Sequence, residues 1–186
     1  VTCGPGFTQT MTALTSAARG RVPLVVFAGE APISAKYYHQ RIEQAPFATF
    51  CGAHYIAAHS PERMHEYVRE AFYVARRERK PVVLGVPYDL QKRPMPELGG
   101  YVPSTAFLPA VVPVSPNPAQ MDDVAALLGA ARRPIFVAGT GVIRAGAGSQ
   151  VEDLADLAGA MLSTTLPARG MFDHSPHSLG VCGGYT

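Results

Sequence analysis

The stretch SPERMHEYVREAFYVARRERKPVVLGVP, residues 60–87, decides the fold. It opens as a helix start, with Ser60 as cap, Pro61 at the first helical position and Glu62 in the first turn. Met64, Tyr67, Val68, Ala71, Phe72 and Ala75 follow at helical spacing. This predicts an amphipathic helix with one face on a core. The basic run from Arg76 to Lys80 suits the negative end of the helix dipole, and a solvated helix end is expected there. Residues 81–86, PVVLGV, are apolar without alternation and are closed by Pro87. Such a run reads as a strand buried on both faces, the habit of parallel sheets.

The same alternation extends outward in both directions. A helix pattern spans residues 8–18 through Met11, Leu14, Ala17 and Ala18, and Gly20 stops it. Residues 23–28, PLVVFA, repeat the buried-strand texture, and an irregular polar stretch fills residues 30–45. Further along, Asn117-Pro118 starts a helix through Met121, Val124, Leu127 and Leu128. Residues 134–138, PIFVA, predict a strand that runs into Gly139-Thr140-Gly141. Ser149 is expected to cap a helix carrying Val151, Leu154, Leu157 and Ala158, with a short strand over residues 161–165. Strands alternating with helices predict an α/β chain of parallel sheets with crossover helices. Ligands of such sheets bind beyond the carboxyl ends of the strands. Seven prolines fall between Pro94 and Pro118, which excludes helix and central strand and predicts an extended linker. The expected organisation is therefore residues 1–93, a linker over 94–117, and residues 118–186.

Composition narrows the function classes. Hydrophobic residues make up 47% of the 186, which excludes a disordered chain. No apolar run approaches the ~20 residues of a membrane span, so no membrane partner is expected. A net charge of +2 carries no basic stripe of the kind nucleic acid requires. Cys3, Cys51 and Cys182 are odd in number and widely spaced, and are expected to be free buried thiols in a reducing, cytoplasmic setting. No charged segment leading into an apolar stretch marks a signal peptide at the start. The chain opens on Val1 and runs at once into a glycine motif, and a fragment of a longer protein is expected.

The ordered set of motifs is GPGFTQ at 4–9, PLVVFAGEAP at 23–32, HQRIE at 39–43 and REAFYVARRERKPVVLGVPYDLQ at 69–91. After the proline-rich stretch come RRPIFVAGTGV at 132–142 and TTLPARGMFDHSPHSLG at 164–180. In this order the chain resembles the thiamine-diphosphate-dependent enzymes of the acetolactate synthase type, the group that includes pyruvate oxidases and 2-oxo-acid decarboxylases. The resemblance implies the second half of a pyrimidine-binding domain followed by most of a Rossmann-like central domain. It implies a lyase or carboligase that acts on a 2-oxo acid through a C2 ylid and an enamine. The cofactor of such enzymes bridges two subunits, which implies a homodimer or homotetramer. The family's activating glutamate lies upstream of the GPG segment, and its Gly-Asp-Gly metal motif lies downstream. Ligands for Mg2+ and the diphosphate are thus expected outside this chain, no metal ligand is expected within it, and the isolated piece is expected to be inactive.

The resemblance assigns roles that the residues alone leave open. Gly4-Pro5-Gly6 is, by itself, a tight turn that needs glycine; in the family this loop lies against the aminopyrimidine ring. Gln9 stands where acetolactate synthases carry Asn, and either amide donates to and accepts from a heterocycle edge. His39, Gln40 and Glu43 are, by themselves, polar loop residues; the resemblance places Gln40 in the substrate pocket with the other two as catalytic candidates. His39 replaces an apolar aromatic residue and could move protons near neutral pH. Ile33 stands where acetolactate synthases place an Arg, and Gly52-Ala53 where they place a Lys; both departures point away from acetolactate synthesis itself. Some relatives bind FAD in the central domain, at positions matching Gly139, Gly141, Thr165, Leu166 and Gly183. FAD is therefore carried as a second cofactor, and a Gly-rich strand end that merely turns as the plainer alternative. His174 and His177, beside Asp173, read as a turn rather than a metal site. The rival functions are a nucleotide-binding module and a non-catalytic member of the family.

Overall fold

The strand expected at residue 81 is the centre of a three-stranded parallel sheet in a computed structural model that describes residues 1–112 and 114–183. Pro113 of the proline-rich stretch and residues 184–186 of the last segment lie outside the described residues. The chain divides into two compact units, Val1–Val111 and Val112–Thr186.

The first unit opens with two helices, α1 (Pro5–Thr8) and α2 (Met11–Arg19), before β1 (Leu24–Glu30). Helix α3 (Gln44–Phe50) leads to β2 (His54–Ala57), and α4 (Met64–Glu78) leads to β3 (Pro81–Pro87). A short helix, α5 (Tyr88–Gln91), follows at once. The sheet order is β1-β3-β2, all parallel, with Leu24 opposite Pro81 and His54 opposite Val82. Every residue of β3 is buried. The period of two along a strand sorts them. Val82, Leu84 and Val86 pack with Tyr67, Ala71 and Ala75 of α4, while Val83 packs with Phe7, Leu14 and Ala48 on the other face. One central strand thus holds two apolar layers together.

The predicted helix forms, with three differences. Ser60 makes no capping hydrogen bond; it precedes a separate 3-10 turn, Pro61–Arg63, ahead of α4. Phe72 is an exposed member of the stripe, covered by the Arg76 guanidinium at 5.1 Å. Arg76 is also not simply solvated, since it donates to Ser104 Oγ. Ser104 belongs to a 3-10 turn, Ser104–Phe107, inside the stretch expected to be extended. Ser104 is almost fully buried, Arg69 stacks over Phe107 at 5.3 Å, and the His65 and Tyr101 rings lie 5.4 Å apart. The prolines prevent long helices here but leave room for one tight turn docked on α4.

The second unit contains α6 (Pro118–Ala130), β4 (Ile135–Ala138), α7 (Thr140–Ala145), α8 (Gly148–Ala158), β5 (Met161–Thr164) and β6 (Ser178–Val181). Its sheet is β4-β5-β6, again parallel. Asn117 caps α6 by accepting from the Ala119 amide at 3.0 Å. Ser149 does not cap α8; it lies inside the first turn, with Ala147 at the cap position. Ala138, Ala155, Leu162 and Phe172 form the core. Helix α6 buries none of its residues, so its Met121, Val124 and Leu127 stripe faces outward within this unit. Cys3 and Cys51 are free and buried as expected, but Cys182 is free and exposed. Among the described residues no helix is long and apolar enough to cross a membrane.

The two apolar layers on β3 set an expectation for stability. Leu84→Ala should cost about 2–5 kcal/mol, whereas Leu127→Ala on the exposed stripe of α6 should stay within about 0.5 kcal/mol. Urea unfolding of the two variants measures the difference.

Candidate functional site

At the carboxyl end of β1 the chain gathers residues that are far apart in sequence. Gly4 has φ of +60°. A Cβ there would run into the Gln40 carbonyl, so glycine is required both by conformation and by space. A Cβ on Gly6 would meet the Thr2 hydroxyl. The Gly4 carbonyl accepts from the Phe7 and Thr8 amides at 2.9 and 3.0 Å, which closes the single turn of α1. Pro5 and Gln9 remain exposed on that turn.

Gln44 fastens this loop. Its Oε1 accepts from the Gly4 amide at 3.1 Å, and its Nε2 donates to the Gly29 carbonyl at 3.1 Å. Gln44 is 3% exposed; its bond to Gly4 is buried and its bond to Gly29 partly so. Cys3 adds a second tie, with its thiol donating to the Gln40 carbonyl at 3.3 Å. Burial and, after it, the Glu30 carboxylate push the Cys3 thiol above its ordinary pKa. It is therefore a neutral donor and not a nucleophile.

Beside Gln44, the Tyr55 hydroxyl donates to Glu30 Oε1. Burial, and then this bond, push the Tyr55 phenol far above its usual value. Gly85 makes the pair feasible: a Cβ on this central-strand glycine would collide with the Tyr55 hydroxyl. Glycine inside a strand forgoes packing, and here the space goes to the pair.

The loop after β1 is held from outside. Asp89 accepts the Ile33 and Ser34 amides, each at 3.1 Å. Burial acts to raise the Asp89 carboxyl, and the two amides outweigh it, holding it below the ordinary carboxylate range. Arg41 donates to the Pro32 and Ala35 carbonyls at 3.1 and 2.8 Å.

Two clefts result. One, of about 210 Å³, is lined by Cys3, Glu30, Tyr38, Gln40 and Gln91 among others. The other, of about 290 Å³, is lined by Glu30, Arg41, Glu43, Gln44 and His59 among others. The structure thus brings Gly4 and Gln40 into contact and puts Glu43 one cleft away. His39 is exposed, its ring 5.3 Å from that of Tyr38, and it lines neither cleft. Glu30, Gln44 and Tyr55 carry the site's polar bonds, yet the sequence did not single them out. Their partners lie 15, 25 and 40 residues away, so no local pattern marks them.

In the second unit, four of the five positions matched to FAD contacts gather at the carboxyl ends of the strands. Gly139 follows β4, and a Cβ on it would lie 3.4 Å from Thr165 Oγ1. The Thr165 amide donates to the Ala138 carbonyl at 2.8 Å. Leu166 opens the 3-10 turn Leu166–Ala168, and Gly183 follows Cys182, whose amide bonds Thr164 at 2.7 Å. Gly141 lies within α7 with open space beside it. His174 Nε2 meets Glu152 Oε1 at 2.8 Å, and His177 is exposed. Among the described residues no three His, Cys, Asp or Glu side chains come together in a way that would hold a metal.

Parallel sheets with a glycine loop and polar clefts at strand carboxyl ends define an α/β fold whose clefts lie where such sheets bind ligands. Comparison with known proteins narrows the class. Residues 121–186 match the family described as "Thiamine pyrophosphate enzyme, central domain". The chain is 31% identical to an acetolactate synthase of Mycobacterium bovis, over 98% of the chain and 30% of that protein. It is 30% identical to a probable acetolactate synthase large subunit of Methanocaldococcus jannaschii, over 98% of the chain and 32% of that protein. A large subunit from Corynebacterium glutamicum is 30% identical over 94% of the chain and 28% of its own length. The central-domain match and the identity of about 30% along nearly the whole chain support a thiamine-diphosphate-dependent family of the acetolactate synthase type. It spans roughly a third of the length of these curated relatives.

Two outcomes follow from the bonds at this site. Gln44→Ala leaves the Gly4 amide and Gly29 carbonyl without their partner and should cost about 1–3 kcal/mol in chemical unfolding. Asp89 should give the chain an acid limb. A carboxyl lowered by folding stabilises above its unfolded pKa, and that stability is lost as pH falls through the folded value. Thermal melts across pH should therefore show Asp89→Asn below wild type at neutral pH, with the two curves converging in acid.

Proposed function

We propose that this chain is part of a thiamine-diphosphate-dependent lyase or carboligase acting on a small 2-oxo acid. The observation that carries the reading is the Gly4 loop, fixed against Gln40 at a strand carboxyl end in a chain that matches acetolactate synthases along 98% of its length. The residues fit the neutral half of such a cofactor: an exposed Pro5 ring and an exposed Gln9 carboxamide stand beside a rigid glycine turn. Thiamine diphosphate, when bound, supplies the electron sink for breaking and making bonds at the substrate carbonyl carbon.

The chain's own residues bind and orient. Gly4, Pro5, Gly6 and Gln9 offer a face to the pyrimidine ring, with the Gln9 amide as donor and acceptor. Gln40 is positioned through its backbone, by Cys3 and by the close approach of Gly4, and offers its side chain to the substrate. Glu43, at the cap position of α3, borders the second cleft as a proton acceptor, and His39 acts from the surface of the loop. Mg2+ and the diphosphate would be held by residues outside this chain, and a homodimer or homotetramer would complete the site. Ile33 and the Gly52-Ala53 pair favour a reaction other than acetolactate synthesis. A second reading, an FAD or nucleotide site in the second unit, is favoured by Gly139, Thr165, Leu166 and Gly183 at one end of its sheet.

Calorimetry tests the division of labour. The 186-residue chain should bind thiamine diphosphate with Mg2+ weakly or not at all, and micromolar binding would contradict this. In the full-length protein Gln40→Ala should lower turnover about 10- to 100-fold through lost orientation, with an unchanged melt; wild-type kinetics would remove Gln40 from the pocket.

A further inference from the structure

Glu30 borders both clefts at the carboxyl end of β1, and no role in the function above uses it. One oxygen is held by the Tyr55 hydroxyl, which stays protonated, so the carboxylate is an oriented acceptor with capacity left over. Gly85 in the central strand is committed to making room for this pair. The neighbouring Gln44 gives one bond each to Gly4 and Gly29, and one guanidinium nitrogen of Arg41 serves two carbonyls of its own loop. Glu30 is the acidic group shared by the two clefts, and Tyr55 fixes it on one side.

A 2-oxo acid brings its own negative charge. Like charges repel at this range, and Glu43 borders the second cleft as well. The acid end of the substrate must then point away from Glu30, and the far end of the molecule must face it. A carboxylate held toward that end rewards a hydroxyl and penalises a bare methyl, which would leave the charge without a partner.

We propose that Glu30 is a specificity-determining residue that accepts a hydrogen bond from the distal hydroxyl of a hydroxylated 2-oxo acid, with Tyr55 as its positioning residue. The proposal rests on the function given above and names the substrate class for that site.

The experiment uses the full-length protein with thiamine diphosphate and Mg2+, and pyruvate and hydroxypyruvate as probes. Each acid is titrated calorimetrically and assayed in wild type, E30Q and Y55F. Wild type should favour hydroxypyruvate by about tenfold or more, E30Q should lose that preference while pyruvate shifts less than about twofold, and Y55F should fall between. A purely structural role would lower both substrates alike, so an unchanged ratio in E30Q overturns the proposal. So does a wild type without preference, or one that binds neither acid. If E30Q fails to fold, Y55F decides by the same ratio. Binding of hydroxypyruvate that depends on Glu30, with neither acid turned over, would keep Glu30 as a ligand group and reject the thiamine-dependent function.

Discussion

The Gln44 carboxamide is the constraint on which the first unit's site depends. One planar group ties the Gly4 amide to the Gly29 carbonyl, and so ties the loop before α1 to the end of β1. The bond to Gly4 is buried and the bond to Gly29 partly so, and an unmade hydrogen bond away from water is costly. The loop is consequently held in one place before any ligand arrives. Preorganisation of this kind lowers the ordering cost of binding. It also explains why Gly4 is tolerated in a left-handed conformation: the surrounding contacts determine it.

The second feature is the use of space on the central strand. β3 is apolar along its length and buried throughout, which is what holds α4 and the α2–α3 layer on opposite faces. At Gly85 that packing is given up for the Tyr55–Glu30 pair. A buried polar pair next to two clefts, in a strand that is otherwise pure core, is a local departure from the rule that organises the sheet. Such departures collect at sites of function.

Much of the fold was legible in the sequence because its signals are local. The apolar runs of β1 and β3, and the stripe of α4, needed no partner to be read. The breaks came where the signal is not local. Helix α3 carries Pro46 and begins in a polar stretch, so it has no apolar period to announce it. β2 is four residues, HYIA, too short for alternation. α7 follows Gly139 directly, and the glycines there suggested a turn. At the site, the GPG loop and Gln40 drew attention through their family pattern, whereas Glu30, Gln44 and Tyr55 acquire meaning only when the strands bring them together. The chemistry of His39 suits a proton carrier, but its place on the surface, lining neither cleft, depends on a loop whose course Asp89 and Arg41 set.

The account is tested most directly by amide hydrogen exchange on the full-length protein, with and without thiamine diphosphate and Mg2+. If the loop over residues 3–9 is a ready-made face for the cofactor, its amides gain protection on binding. The Gly4, Phe7 and Thr8 amides, already hydrogen-bonded, are slow beforehand. Cofactor binding that protects other segments and leaves residues 3–9 unchanged would contradict the assignment.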